Sequence, residues 1–420
     1  MRQRIHQKIF LITCLLLAFF LPVFPRLLPS IIVIMAANWL TSGIYLKTVP
    51  QIFKQRWRLL TLSFASLYLF YVVGMLYSTD FAYGWFDLEV KLSLLAFPVI
   101  FGLSDLRIFN YERTRLLFGS FLAGCFAGSL ILLFHAVIAN ERWGVPDAFY
   151  YTNLSWYIHP SYLAMYYTFG IGIALASMAG DFTSQPVYKT IILSVIMLYL
   201  EGFLFLLSSK AGLMMLIITQ VLFVLLLIYQ KVGLTRIVLV SAIMAIAFFG
   251  FSRTFPYAFT RISKADSMIT SAHSVKSNPN DGTVARMEIW KVSIGLIRQN
   301  FLFGVGTGDV KDVLLEAYKT QHLNPLYKKK LNAHNQYLQT WIALGIFGFH
   351  LLILLFLTPA LRALKKGDYL YFLFITIFAV NIMFESMLEG QAGVVFYAFF
   401  NAFLFSKCFG SPLIPDASHR

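Results

Sequence analysis

The chain has 420 residues, of which 59% are hydrophobic and 13% charged, with a net charge of +15. Soluble domains carry about 25% charged residues, because their surface must be covered with polar groups, and this excludes a large soluble α protein. The basic excess sits in short clusters between apolar runs, where lipid headgroups and membrane topology account for it, which argues against a nucleic-acid partner.

In chain order, the first segment (MRQRIHQK, then an apolar run) has the shape of a signal peptide without a small-x-small cleavage site, so it reads as an uncleaved first helix. A bilayer core of about 30 Å takes roughly 20 apolar residues per helix. Backbone groups cannot be left unpaired in lipid, so such runs are expected to be helical. Apolar runs predict twelve spans, near 8–25, 28–46, 59–77, 89–104, 115–138, 160–179, 188–208, 211–230, 235–252, 336–360, 368–386 and 393–409. The fourth is short, follows amphipathic sequence and can be partly re-entrant. Cys14, Cys125 and Cys408 all lie in apolar runs and have no metal-ligand spacing.

The predicted organisation is all-α and polytopic. Spans one to nine occupy 1–252, a large extramembrane loop occupies 253–335, and the last three spans occupy 336–420. With an even span count both termini share a side. Eighteen Lys and Arg residues of the short loops and ends fall there, against Arg26, Lys91, Arg142 and Lys210 opposite. The positive-inside bias then makes the termini cytoplasmic and places the loop on the outer face. The remaining 12 Lys/Arg residues lie in that loop, which is long enough to escape the rule.

Within the loop, the polar stretch 264–282 reads as a connection. Residues 283–300 predict an amphipathic helix. Thr283 can cap it, and Val284, Met287, Ile289, Trp290, Ile294 and Ile297 form an apolar face. Arg286 falls in its first turn, where free N–H groups favour an anion. The glycines of Asn300 to Asp309, Gly306 among them, fit either a plain turn or a close approach to phosphate or sugar. No strand precedes them, which rules out a dinucleotide fold. A second helix is expected over 309–322, followed by Lys328, Lys329 and Lys330, which suit an interfacial anchor.

His334 stands where the loop re-enters the membrane. A histidine there is either structural or a proton-transfer group. Lys210, between two apolar runs, is either a snorkelling lysine or a partner of Arg286 on phosphate. Glu385, Glu389 and His159, with Asp87 and Glu89, are ionisable groups bordering spans and therefore candidates. A two-carboxylate glycosidase pair from Glu385 and Glu389 is conceivable. No Asp-x-Asp pair in the outer loops and no His/Cys cluster suggests a metal.

Ser209-Lys210, Arg286 with Trp290, Asn300 to Gly308, and His334-Asn335-Gln336-Tyr337-Leu338 with Gly345 and Gly348 form an ordered set over roughly 200–350. In this order and topology the chain resembles the O-antigen ligase and polymerase superfamily. The resemblance implies a GT-C-like membrane glycosyltransferase of the bacterial inner membrane, independent of metal and cofactor. It implies a polyprenyl-diphosphate-linked glycan as donor and lipid A–core as acceptor, with transfer on the periplasmic face. Sister branches would extend a polysaccharide or glycosylate a protein. A flippase or transporter is the reading from another class, and it lacks a repeated midplane polar site. By resemblance, Arg286 and His334 are essential residues, Asn335 and Tyr337 belong to the same motif, and Lys210 stands where the family has an arginine. A lysine keeps the charge and loses the bidentate fork.

Overall fold

The computed structural model describes residues 2–180, 187–257 and 282–410, which are helical with no strand. The N-terminal half contributes α1 (Arg2–Val23), α2 (Leu28–Ser42), α3 (Arg56–Ser63), α4 (Ser66–Gly74), α5 (Phe81–Lys91), α6 (Ser93–Gly102) and α7 (Tyr111–Trp143). Then come α8 (Pro160–Gly180), α9 (Val187–Leu207), α10 (Lys210–Tyr229) and α11 (Leu234–Thr254). The loop contributes α12 (Gly282–Gln299) and α13 (Val310–Thr320), and the chain closes with α14 (Gln336–Lys366), α15 (Tyr369–Asn381) and α16 (Gln391–Gly410). The expected connection at 264–282 lies outside the described residues apart from its last, and so does part of the loop at 253–335.

Among the described residues nine helices are long and apolar enough to cross a membrane, or ten with one bent pair. Twelve spans were expected, and three depart. The second breaks at Gly43, where the chain turns by 60° into Ile44–Gln51. The fourth is split at Leu92 between α5 and α6, and the eleventh is the 13-residue α15. Hydropathy averages over a window and does not register whether the backbone runs straight through it. The result is still an all-α, multi-pass membrane protein.

Helices α8 and α16 form the centre, with 78% of their apolar windows buried, whereas α11 has 6% buried and faces outward. Aromatic side chains fill the centre, with Phe169 edge-on to Phe400 at 5.0 Å. Small residues let backbones close up, as membrane helices require. A Cβ at Gly128 of α7 would stand 2.6 Å from the Pro22 carbonyl of α1.

The loop helix α12 buries Val284, Ala285, Ile289, Val292, Ser293 and Ile297. Met287 and Ile294, expected on that face, are 38% and 44% exposed. Helix α14 is broken at Gly345 (φ 65°, ψ −163°). The carbonyls of Ile342 and Ala343 accept from Val305 and Gly306 N–H at 2.8 and 3.0 Å, and the Ile346 N–H donates to the Phe301 carbonyl at 2.9 Å. The loop is thereby laced into the break.

Candidate functional site

Helix α12 carries Arg286 to the start of α14. One Arg286 nitrogen, Nη2, stands 3.3 Å from Glu385 Oε2, and His334 Nδ1 stands 2.7 Å from Oε1 of the same carboxylate. Glu385, in the turn between α15 and α16, therefore bridges the two residues singled out by the sequence. Its side chain is 9% exposed, against 21% for His334 and 25% for Arg286. Burial alone would raise the Glu385 carboxyl. The hydrogen bond from His334, then the charges of His334, Arg286 and His159, outweigh it and bring the group down to about 2. An ionised Glu385 calls for a donor on Nδ1, which leaves Nε2 of a neutral imidazole as an acceptor. Arg286 Nε is buried with no hydrogen-bond partner among the described residues.

The local backbone explains how His334 is held. Its φ is +44°, a left-handed value that costs a non-glycine residue roughly 1–3 kcal/mol and persists only where neighbours enforce it. Asn332 Oδ1 accepts from the His334 N–H at 3.0 Å, Gln339 Oε1 from the Ala333 N–H at 3.1 Å, and Ser386 Oγ from the Asn335 N–H at 3.2 Å. Asn335 caps α14 by accepting from the N–H groups of Tyr337 and Leu338 at 2.9 and 3.2 Å. The Tyr337 hydroxyl donates to the Ala379 carbonyl at 3.0 Å. These two motif residues set the start of α14 and its packing on α15.

Lys210 opens α10, which Ser209 caps by accepting from the Gly212 N–H at 3.3 Å. Its Nζ donates to Thr283 Oγ1 at 2.7 Å. The hydroxyl expected to cap α12 is thus a tie to Lys210. Thr283 and Arg286 are three residues apart and share a helix face, so Lys210 and Arg286 belong to one neighbourhood. His159, before α8, accepts from the Ser161 N–H at 3.3 Å and meets Tyr162 edge-on at 6.5 Å.

The glycine-rich stretch does not join this site. The N–H groups of Gly304, Val305, Gly306 and Thr307 all donate to protein carbonyls, and that of Gly308 donates to Ser78 Oγ at 3.0 Å. A Cβ at Gly306 would stand 2.6 Å from Ser78 Oγ. Of the two readings of these glycines, the packing role is the one the contacts describe: Gly306 permits close packing of the loop on α4 and α14. Asp309 closes the stretch by accepting from the N–H groups of Thr79 and Asp80 at 2.9 and 2.8 Å.

Glu389 is not paired with Glu385 as two carboxylates flanking a substrate. It accepts from Lys91 Nζ and Gln336 Nε2, each at 3.0 Å. Lys91 also pairs with Asp87, one turn earlier on α5, and lies 4.7 Å over the Tyr71 ring. Counted above as a loop cation, Lys91 is fully buried. Gln336 Oε1 accepts from the Leu388 N–H at 2.8 Å, and the Gln336 N–H donates to the Ile382 carbonyl at 2.8 Å. This cluster grips both ends of the turn that carries Glu385. The Asp87-to-Lys91 spacing inside apolar sequence was the available signal for that pair alone. Among the described residues no group of three or more His, Cys, Asp or Glu is placed to hold a metal ion.

Comparison with known proteins bears on the same segment. Residues 192–353, which include Lys210, Arg286 and His334, match the family model described as O-antigen ligase. An uncharacterized protein of Haemophilus influenzae is 30% identical over 106 residues, which are 25% of this chain and 26% of that one. The chain thus matches about a quarter of that relative's length. The relative's name carries no activity, so the likeness rests on the family model. Over residues 192–353 the chain is similar to the O-antigen ligase family.

Proposed function

We propose that the chain is a metal-independent glycosyltransferase of the bacterial inner membrane that moves a glycan from a polyprenyl diphosphate carrier to lipid A–core. The observation that carries this reading is the Glu385 bridge between His334 and Arg286, with Lys210 tied to Thr283, one helical turn from Arg286. The glycosidic C–O bond to the diphosphate breaks, and the acceptor hydroxyl oxygen forms the new C–O bond. Its proton passes to His334 Nε2, the nitrogen that Glu385 leaves open. The departing diphosphate takes the bonding electron pair, and its charge is stabilised by Arg286 and Lys210 in a site of low dielectric. A diphosphate leaves readily, so no metal is required to activate the donor. With the buried Lys91 set aside, the bias of eighteen short-loop and terminal cations against three on the twelve-span reading supports cytoplasmic termini and a periplasmic site.

The experiment is an in vitro transfer assay with polyprenyl-diphosphate-linked oligosaccharide and lipid A–core in EDTA. The expected result is product from the wild-type protein and a loss of roughly 10²- to 10⁴-fold in His334→Ala. Dependence on added metal, or full activity in the variant, overturns the mechanism. Chain growth or protein glycosylation in place of transfer to lipid A–core would keep the chemistry and reassign the acceptor, since the superfamily also contains polymerases and protein oligosaccharyltransferases.

A further inference from the structure

A large cavity lies far from the site. Its volume is about 1230 Å³, more than the roughly 300–1,000 Å³ of small-molecule pockets. It is bounded by the start of α7, the end of α8, the start of α9, and the far ends of α10, α14 and α16. Helix α10 begins at Lys210 beside the candidate site and reaches the cavity near Gln230 after 20 residues, about 30 Å along its axis. The two features therefore face opposite leaflets.

Its walls are apolar, including Phe118, Leu122, Ile173, Ile196 and Leu226, and its floor reaches Leu200, which is 1% exposed. Phe126 and Val195, 50% and 59% exposed, mark a side that opens outward between α7 and α9. The end of the crevice is polar and cationic. Arg115, Lys189 and Lys366 line it with one acid, Asp368. Asp368 caps α15, accepting from the Tyr371 N–H at 3.0 Å, and Arg115 lies 5.5 Å over the Tyr111 ring. Lys189 sits in the first turn of α9, which holds no acid. The positive end of a helix disfavours a cation there, and an anion at the rim would offset that.

We propose that this crevice is a binding site for one anionic glycerophospholipid. The acyl chains lie between α7 and α9, and the phosphate lies among Arg115, Lys189 and Lys366. Basic pockets between membrane helices suit phosphate headgroups in this way. A plain bilayer contact explains the exposed apolar wall. It does not explain a deep crevice that ends in three cations.

The test is native mass spectrometry of delipidated protein offered equal amounts of phosphatidylglycerol, phosphatidylethanolamine and undecaprenyl phosphate. One phosphatidylglycerol is expected to be retained roughly 10-fold or more over phosphatidylethanolamine. The charge variant Arg115→Gln/Lys189→Gln/Lys366→Gln should lose that preference. A second variant, Gly119→Leu, projects into open space, since a Cβ at Gly119 meets nothing within 4 Å, and it should lower retention of both phospholipids. Equal retention of the two phospholipids by the wild type, an unchanged preference in the charge variant, or an unchanged yield in Gly119→Leu overturns the proposal. Preferred retention of undecaprenyl phosphate overturns the diacyl assignment. The readout is lipid binding, so it stands or falls separately from glycan transfer.

Discussion

Two charged clusters share the turn between α15 and α16, and they are built differently. Around Glu385 the partners are His334 and Arg286, both partly open at 21% and 25%. Around Glu389, four residues on, the partners are Lys91 and Gln336, and Lys91 has no exposure at all. The first cluster leaves Arg286 Nε without a hydrogen-bond partner among the described residues. The second is closed, with the lysine between two carboxylates and the amide of Gln336 used at both ends. One cluster is partly open, and the other grips the turn that carries it.

The closed cluster should break hardest. Lys91→Met leaves Asp87 and Glu389 buried without a cation, and a loss of about 3–5 kcal/mol in stability is expected, read as thermal melting in detergent. Neutralising all three together, as Asp87→Asn/Lys91→Met/Glu389→Gln, should recover most of that loss and restore transfer. If the triple variant melts like wild type but stays inactive, Lys91 acts beyond holding the turn.

The open cluster should break more gently in stability and more sharply in rate. Glu385→Gln removes the charge that orients His334 and keeps the side-chain shape. A fall in kcat of roughly 10- to 100-fold is expected, a part of what a positioned base contributes, with a smaller loss of stability than in Lys91→Met. A wild-type rate in this variant would reduce Glu385 to a packing group.

The smallest effect is on acid stability. Glu385 is held near 2 in the fold against an ordinary 4.5. A depressed carboxyl contributes stability that is present above its unfolded value and lost as pH falls through its folded value. The stability gap between wild type and Glu385→Gln should therefore be full above about 4.5 and shrink as pH falls toward 2. A constant gap through that window would assign the depressed value to another group.

Most of the fold was legible because apolar length is a local property. Continuous helices such as α9, α10 and α11 fall within a few residues of the predicted spans 188–208, 211–230 and 235–252. The bends at Gly43, Leu92 and Gly345 were not legible in the same way, since they depend on what packs against the break. The candidate site divides along the same line. Arg286, His334 and Lys210 stood out through ordered short motifs, and the fold brings them to one neighbourhood. Glu385 was one of several interfacial acids until the turn before α16 put it on His334. The Lys91 cluster joins α5 to residues some three hundred positions later, and no local spacing records that partnership. The glycine-rich stretch looked suited to a ligand because close approach to phosphate and close approach to another backbone require the same residue type.

The break at Gly345 has a consequence for how the chain is made. It lies nine residues after the start of α14, about 14 Å along the axis, where lipid supplies no hydrogen bonds and a carbonyl left unpaired is costly. The N–H groups that answer Ile342 and Ala343 belong to Val305 and Gly306, which leave the ribosome first. Synthesis order thus delivers the donors before the helix that needs them.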